Sequence, residues 1–221
     1  MKYTIMATAL AVAFGAAPLA SHAAISVLKF DETKDGFTTS TTPALSTSNA
    51  ASNATDNQWG FATPGAFADA GVGTPEGNAL EDYVWVAQSK NGSEEPNVPD
   101  LAVSISGLNL GTSYNIYGYY VVSDGQFWGI RLGLDGGGFG AYFYGDGTQI
   151  GDEVSGTRME RVLLGTVDST TTATVDVSQL LSANADYRSI VKGVGIEAIP
   201  EPSSAALLGL GGLALILRRR K

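Results

Sequence analysis

The stretch from Leu101 to Tyr144, LAVSISGLNLGTSYNIYGYYVVSDGQFWGIRLGLDGGGFGAYFY, decides the fold class. Apolar or β-branched residues recur with a period of two through residues 101–105, 114–122, 127–134 and 140–144, which is typical of half-buried strands. The segments 123–126 (SDGQ) and 135–138 (DGGG) are rich in turn formers and separate these runs. The stretch therefore predicts successive strands joined by short turns.

Strand patterns continue on both sides of this stretch. They cover residues 24–30, 59–61, 83–87, 161–167, 172–177 and 189–198, with turn signals about every 8 to 12 residues. Residues 38–57 are rich in Ser, Thr, Asn and Ala and predict a flexible loop or a polar edge. Long amphipathic helices are missing between the ends, which disfavours α/β folds. We expect an all-β domain, a two-sheet antiparallel β-sandwich similar to a jelly roll.

The first 23 residues have the pattern of a secretory signal peptide. Lys2 supplies the positive charge, residues 5–17 are apolar and rich in alanine, and Pro18 breaks that run. Small residues Ser21 and Ala23 stand at the −3 and −1 positions, so we expect cleavage before Ala24. An uncleaved N-terminal anchor is the alternative, but the apolar run is short for a spanning helix.

The C-terminal residues 200–221 form a motif in three parts. Pro200, Glu201 and Pro202 make a rigid acidic tripeptide, an apolar segment follows, and a basic cluster ends the chain. The apolar segment, 203–217, would make a helix of roughly 22 Å, against a hydrocarbon core of about 30 Å. It is therefore a marginal span, with its basic end on the cytoplasmic side. The residues of the segment and of the cluster that define the pattern are Ser203, Leu207, Leu210, Leu213 and Leu217, then Arg218, Arg219, Arg220 and Lys221.

This tail resembles the PEP-CTERM sorting signal, also labelled the ice-binding-protein C-terminal segment. The resemblance implies that an exosortase, a membrane-embedded sorting enzyme, cuts near the tripeptide and releases the protein to the envelope or the extracellular matrix. A plain C-terminal membrane anchor is the alternative. On either reading we expect the protein to be exported and held, at least transiently, at the inner membrane by the C-terminal helix.

The composition of residues 24–199 excludes several classes of function. This stretch of 176 residues is one domain of ordinary size, and its 21 acidic and 8 basic residues give a net charge of −13. Such a charge would repel phosphate backbones, so we expect no nucleic-acid partner. The chain has no cysteine, and its one histidine, His22, lies in the segment that we expect to be removed. Catalysis by a Ser-His-Asp or Cys-His mechanism and the usual zinc or copper sites are therefore excluded.

Aromatic residues are concentrated in the stretch that decides the fold. Half of the chain's twenty aromatic residues lie between Tyr114 and Tyr144. Period-two geometry sends Tyr114 and Tyr120 to one face of their strand and Tyr117 and Tyr119 to the other. One set must enter the core, and the other could stack on sugar rings, so we expect a glycan platform at Tyr117, Tyr119 and Trp128. The alternative is that all of these rings pack within the sheets.

Carboxylates in glycine-rich turns suggest two further kinds of site. Asp124, Asp135 and Asp146 are calcium candidates because hard oxygen ligands on turns suit Ca²⁺, although the same residues are ordinary turn formers. A secreted glycoside hydrolase or lyase needs two carboxylates across a cleft, but no active-site motif accompanies any pair. We therefore expect a non-enzymatic envelope or matrix protein without a required cofactor, which could bind exopolysaccharide, and keep the hydrolase or lyase as the alternative.

Overall fold

A computed structural model describes thirteen segments of the chain. They are residues 23–30, 43–48, 50–51, 59–62, 70–71, 73–80, 83–87, 100–123, 128, 130–135, 147–168, 170–179 and 188–200. Twelve strands and one short helix lie in these segments. In chain order they are β1 (Ser26–Lys29), β2 (Ala44–Ser48), β3 (Ala50–Ala51), β4 (Trp59–Ala62), α1 (Pro75–Ala79), β5 (Tyr83–Ala87), β6 (Leu101–Ser106), β7 (Ser113–Ser123), β8 (Ile130–Leu134), β9 (Thr148–Val154), β10 (Thr157–Val167), β11 (Thr172–Gln179) and β12 (Arg188–Ile199).

The strands form two sheets. The large sheet has the order β3-β4-β5-β12-β7-β10-β9, and β1 also pairs with β12. The small sheet has the order β2-β6-β11-β8. All described pairings are antiparallel except the two-residue pair of β3 with β4. The chain passes repeatedly from one sheet to the other, and the predicted two-sheet antiparallel sandwich is confirmed.

The main core lies between the two sheets. Alternate residues of β6 point inward, so Leu101, Val103 and Ile105 are buried, and they meet Ile116 and Tyr120 from β7 in one cluster. This burial follows from the period-two pattern, because one face of each strand carries the large apolar side chains.

A second apolar cluster covers part of the outer face of the large sheet. Residues 70–71 and 73–80, which include α1, pack there against outward-facing side chains of the central strands. Helix α1 is short but well defined: Thr74 caps it by accepting a hydrogen bond from the Gly77 N–H at 3.0 Å, and Pro75 opens it. We call this group the outer cluster; it comprises Ala70, Leu80, Tyr119, Val121, Trp128, Ile150, Met159 and Ile190, with Val27 and Tyr117 packed against it.

Several sequence predictions differ in detail from the structure. Residues 44–48 form strand β2 at the edge of the small sheet, which agrees with the polar edge and not with the flexible loop among the two interpretations of residues 38–57. Residues 148–154 form β9, which the pattern did not predict, and the predicted strand 140–144 lies outside the described residues. No helix in the described segments is long and apolar enough to cross a membrane, and the expected apolar helix 203–217 lies outside those segments.

Candidate functional site

The outer face of strand β7 carries the candidate site. Tyr114 and Tyr120 belong to the core between the sheets, whereas Tyr117 and Tyr119 contact the outer cluster, as their spacing predicts. The neighbouring strand β12 presents Gly193 and Gly195 at the positions paired with these two tyrosines.

Tyr119 is fully buried and anchors an ion pair to the sheet. Its hydroxyl donates a hydrogen bond to Glu76 Oε2 at 3.0 Å, and Arg161 Nη1 approaches the two Glu76 carboxylate oxygens at 2.8 and 3.0 Å. The ring lies so close to β12 that a Cβ on Gly195 would stand 2.9 Å from Tyr119 Cε2. The helix α1, which carries Glu76, is thus tied to both β7 and β10.

Tyr117 is only partly buried and lies in a polar row that crosses three strands. Its hydroxyl donates to Glu197 Oε2 at 2.7 Å, and Asn115 Nδ2 donates to the same oxygen at 3.0 Å. Thr166 Oγ1 in turn donates to Asn115 Oδ1 at 2.9 Å. The guanidinium carbon of Arg161 lies 5.2 Å from the centroid of the Tyr117 ring, a cation–π distance.

The electrostatic environment keeps these groups protonated at neutral pH. Burial raises the pKa of the Tyr117 hydroxyl above its usual 10.0, and the hydrogen bond to Glu197 raises it further. Burial also raises the pKa of Tyr119 well above that value. Burial acts to lower the pKa of Arg161, but its hydrogen bond with Tyr119 and the charge of Glu76 outweigh it, so that pKa is raised. Both hydroxyls therefore act as hydrogen-bond donors to carboxylates.

The expected platform of three exposed rings needs correction. The structure does bring Tyr117, Tyr119 and Trp128 to one cluster, but Tyr119 is 0% exposed and Trp128 is 5% exposed. Neither ring can stack on a sugar in this conformation, because the outer cluster covers both. Tyr117 remains accessible, and Leu163, which is 52% exposed, stands directly opposite it on β10. We call the surface formed by Tyr117, Leu163, Asn115 and Thr166 the outer patch.

The calcium candidates are described only in part. Asp135 is exposed, has a positive φ of 51°, and accepts a hydrogen bond from the Thr174 N–H at 2.7 Å. Both features are typical of an aspartate that forms a turn. Asp124 and Asp146 lie outside the described residues. Among the residues that are described, no group of three or more His, Cys, Asp or Glu side chains could hold a metal ion.

A buried carboxylate that the sequence pattern did not indicate lies at Glu160. It is 2% exposed and accepts hydrogen bonds from the Tyr120 hydroxyl at 2.8 Å, from the Gly147 N–H at 3.0 Å and from Arg158 Nε at 2.8 Å. Three donors, one of them charged, compensate its desolvation. Glu160 therefore joins β10, β7 and the segment before β9.

The two predicted processing sites lie at the same end of the sandwich. β12 ends at Ile199, immediately before Pro200, and its neighbour β1 runs antiparallel to it with Ser26 opposite Ile196. Cleavage before Ala24 would leave β1 intact. Proline has no N–H to donate to a ladder, so Pro200 does not extend β12 beyond Ile199.

Comparison with known proteins identifies this C-terminal region. The family model described as the PEP-CTERM protein-sorting motif matches residues 198–221, which include the last two residues of β12. No match to a curated protein was found for the chain. The motif marks a protein that is exported toward the cell envelope and processed by an exosortase. The chain therefore carries a PEP-CTERM protein-sorting motif at residues 198–221, joined directly to a β-sandwich.

Proposed function

We propose that the protein is a non-enzymatic component of the cell envelope or extracellular matrix. In the precursor, residues 203–217 span the inner membrane with the cluster 218–221 on the cytoplasmic side, and cleavage near Pro200–Pro202 then releases the sandwich. The observation that carries the proposal is the sorting motif at residues 198–221, which begins in the last two residues of β12, so that no linker separates it from the sandwich. An enzyme that reaches the tripeptide would therefore release a folded domain.

Intact-mass measurement on protein recovered from the native host tests the processing. We expect the extracellular form to lack residues 1–23 and most of the apolar tail. An extracellular form that retains Arg218 to Lys221 would rule out cleavage at the tail and would favour the plain anchor.

We further propose that the domain binds neutral polysaccharide weakly through the outer patch. Tyr117 offers a partly exposed ring and Leu163 an exposed apolar side chain directly beside it. Asn115 and Thr166 continue the same face and can bond sugar hydroxyls. Stacking on a ring needs no charged ligand, and an uncharged glycan would not be repelled by the acidic domain.

Affinity electrophoresis in the host's own polysaccharide tests the outer patch. We expect Tyr117→Ala and Leu163→Ala to lose retention while leaving thermal unfolding little changed. Leu110→Ala is the matched control, because Leu110 is also an exposed leucine but lies in the β6–β7 connection. Absence of retention in the unaltered domain, or equal loss in all three variants, would refute binding at this patch.

The alternative, a glycoside hydrolase or lyase, is tested in parallel. The described carboxylates beside the outer patch are engaged: Glu197 accepts from Tyr117 and Asn115, and Glu76 is paired with Arg161. We expect no release of reducing ends from a panel of polysaccharides. Clear turnover that is abolished by Glu76→Gln or Glu197→Gln would replace the non-enzymatic proposal with an enzyme.

A further inference from the structure

Three parts of the chain meet at the end of the sandwich where the sorting motif leaves it. Strand β12 ends there at Ile199, which is paired with Ser113 at the start of β7. Strand β1 begins there, because Ser26 is paired with Ile196. The connection between β6 and β7, residues 107–112, crosses the same end from the small sheet to the large one. We call this surface the tail end.

The β6–β7 connection holds a leucine out toward solvent. Leu110 is 72% exposed, the most exposed large apolar side chain among the described residues. The connection is anchored: Leu108 is buried in the core, and the Tyr114 hydroxyl accepts a hydrogen bond from the Asn109 N–H at 3.3 Å. The Thr112 N–H donates to the Asn109 carbonyl at 3.3 Å, which closes a turn with Leu110 at its tip.

The tail end must stay close to the membrane while the tail is inserted. Three residues separate β12 from the apolar segment, and three extended residues span at most about 10 Å. Leu110 is three residues from Ser113, the partner of Ile199, so it is held within a similar distance of the point where the tail leaves. The predicted signal-peptide site, Ala23–Ala24, adjoins Ser26 at the same end. Both processing steps therefore bring this one end of the sandwich to the membrane surface.

We propose that the tail end rests on the bilayer surface in the unprocessed protein, with the Leu110 turn in the lipid interface. This inference rests on the proposed membrane insertion of residues 203–217. A single apolar side chain gives a shallow, reversible contact, which suits a protein that is to be released by one cut. Asp168 is exposed just beyond the end of β10, beside this surface, so the contact favours zwitterionic over anionic lipid.

The cysteine-free chain allows a direct test with single labels. The full chain would be exported from a host without an exosortase, labelled with an environment-sensitive fluorophore and reconstituted in phosphatidylcholine vesicles. Leu110→Cys probes the turn, and Leu163→Cys is the matched control, since Leu163 is exposed on the sheet face. Ala206→Cys reports insertion of the tail. Asn109→Cys, also exposed, probes the same turn if the first variant does not fold.

The proposal predicts a blue-shifted emission and quenching by doxyl-labelled lipid at positions 206 and 110, with a water-like emission at 163. Quenching at 206 together with identical, water-like signals at 110 and 163 would overturn the contact and leave membrane insertion intact. Water-like emission at 206 would overturn the insertion, and the contact with it. Replacing part of the phosphatidylcholine with phosphatidylglycerol should weaken the signal at 110, and a stronger signal there would contradict the assigned lipid preference.

Discussion

Substitutions of Tyr119 measure how much the outer cluster stabilises the fold. Tyr119→Phe removes only the hydroxyl that donates to Glu76 Oε2, and Glu76 keeps Arg161 as a partner. We expect it to cost about 1.5–3 kcal/mol of unfolding free energy, the range for a hydrogen bond to a charged group. Tyr119→Ala also removes a ring that is 0% exposed and packed against β12, so we expect about 3–5 kcal/mol.

Urea unfolding of residues 24–199, followed by tryptophan fluorescence, measures these costs. For a domain of this size a loss of about 4 kcal/mol should lower Tm by roughly 8–16 °C. Tyr117→Ala is the comparison, because Tyr117 is partly exposed, and it should cost clearly less than Tyr119→Ala. If Tyr119→Ala cost less than about 1 kcal/mol, or no more than Tyr117→Ala, the outer cluster would not pack around Tyr119 as described.

Three other outcomes follow from the geometry of the large sheet. Because the pKa of Tyr119 is raised above its usual 10.0, the stability that this group contributes is complete below about pH 10 and is lost as the pH rises further. Above about pH 10, the urea midpoint of Tyr119→Phe should therefore fall less steeply with pH than that of the unaltered domain. Gly193→Ala should cost about 1–3 kcal/mol in the same assay, since its Cβ would stand 2.6 Å from the Leu28 carbonyl oxygen, and an unchanged midpoint would refute the close approach. Glu160→Gln should cost about 1–3 kcal/mol because the amide offers one acceptor oxygen to three donors, and a neutral effect would show that the donors find other partners.

The sequence predicted which tyrosines share a face, but it could not show how deeply each one is buried. Alternation in β7 correctly separates Tyr114 and Tyr120 from Tyr117 and Tyr119, because a strand's period of two is fixed by backbone geometry. What buries Tyr119 is α1 and its flanking residues. That helix has five residues and no readable periodicity, and its Glu76 meets Arg161 across 85 positions of sequence. Only the Thr-Pro start at residues 74–75 signalled it.

The two strands with the weakest sequence signals, β2 and β9, are edge strands. β2 reads Ala-Leu-Ser-Thr-Ser and is a strand through its pairing with β6, in which Leu45 is opposite Ile105. β9 contains Gly, Asp and Glu, residues that are uncommon in strands, and it is paired with β10. The sequence does carry a turn signal between β9 and β10, because Ser155-Gly156 is a Ser-Gly pair. Both residues have positive φ, as a two-residue hairpin turn requires.

The position of β12 explains why the fold and the sorting motif are not independent parts. β12 pairs with β7 along one side and with β5 and β1 along the other, so the large sheet is incomplete without the last strand before the motif. Of the described strands, β12 emerges last during export, so the large sheet can close only after the residues just ahead of the motif have been translocated. Pro200 directly follows β12 and has no N–H to donate, so it does not extend the ladder beyond Ile199. An exosortase that acts on this substrate therefore meets the motif beside a finished strand, and release of the domain breaks none of the hydrogen bonds that hold β12 in place.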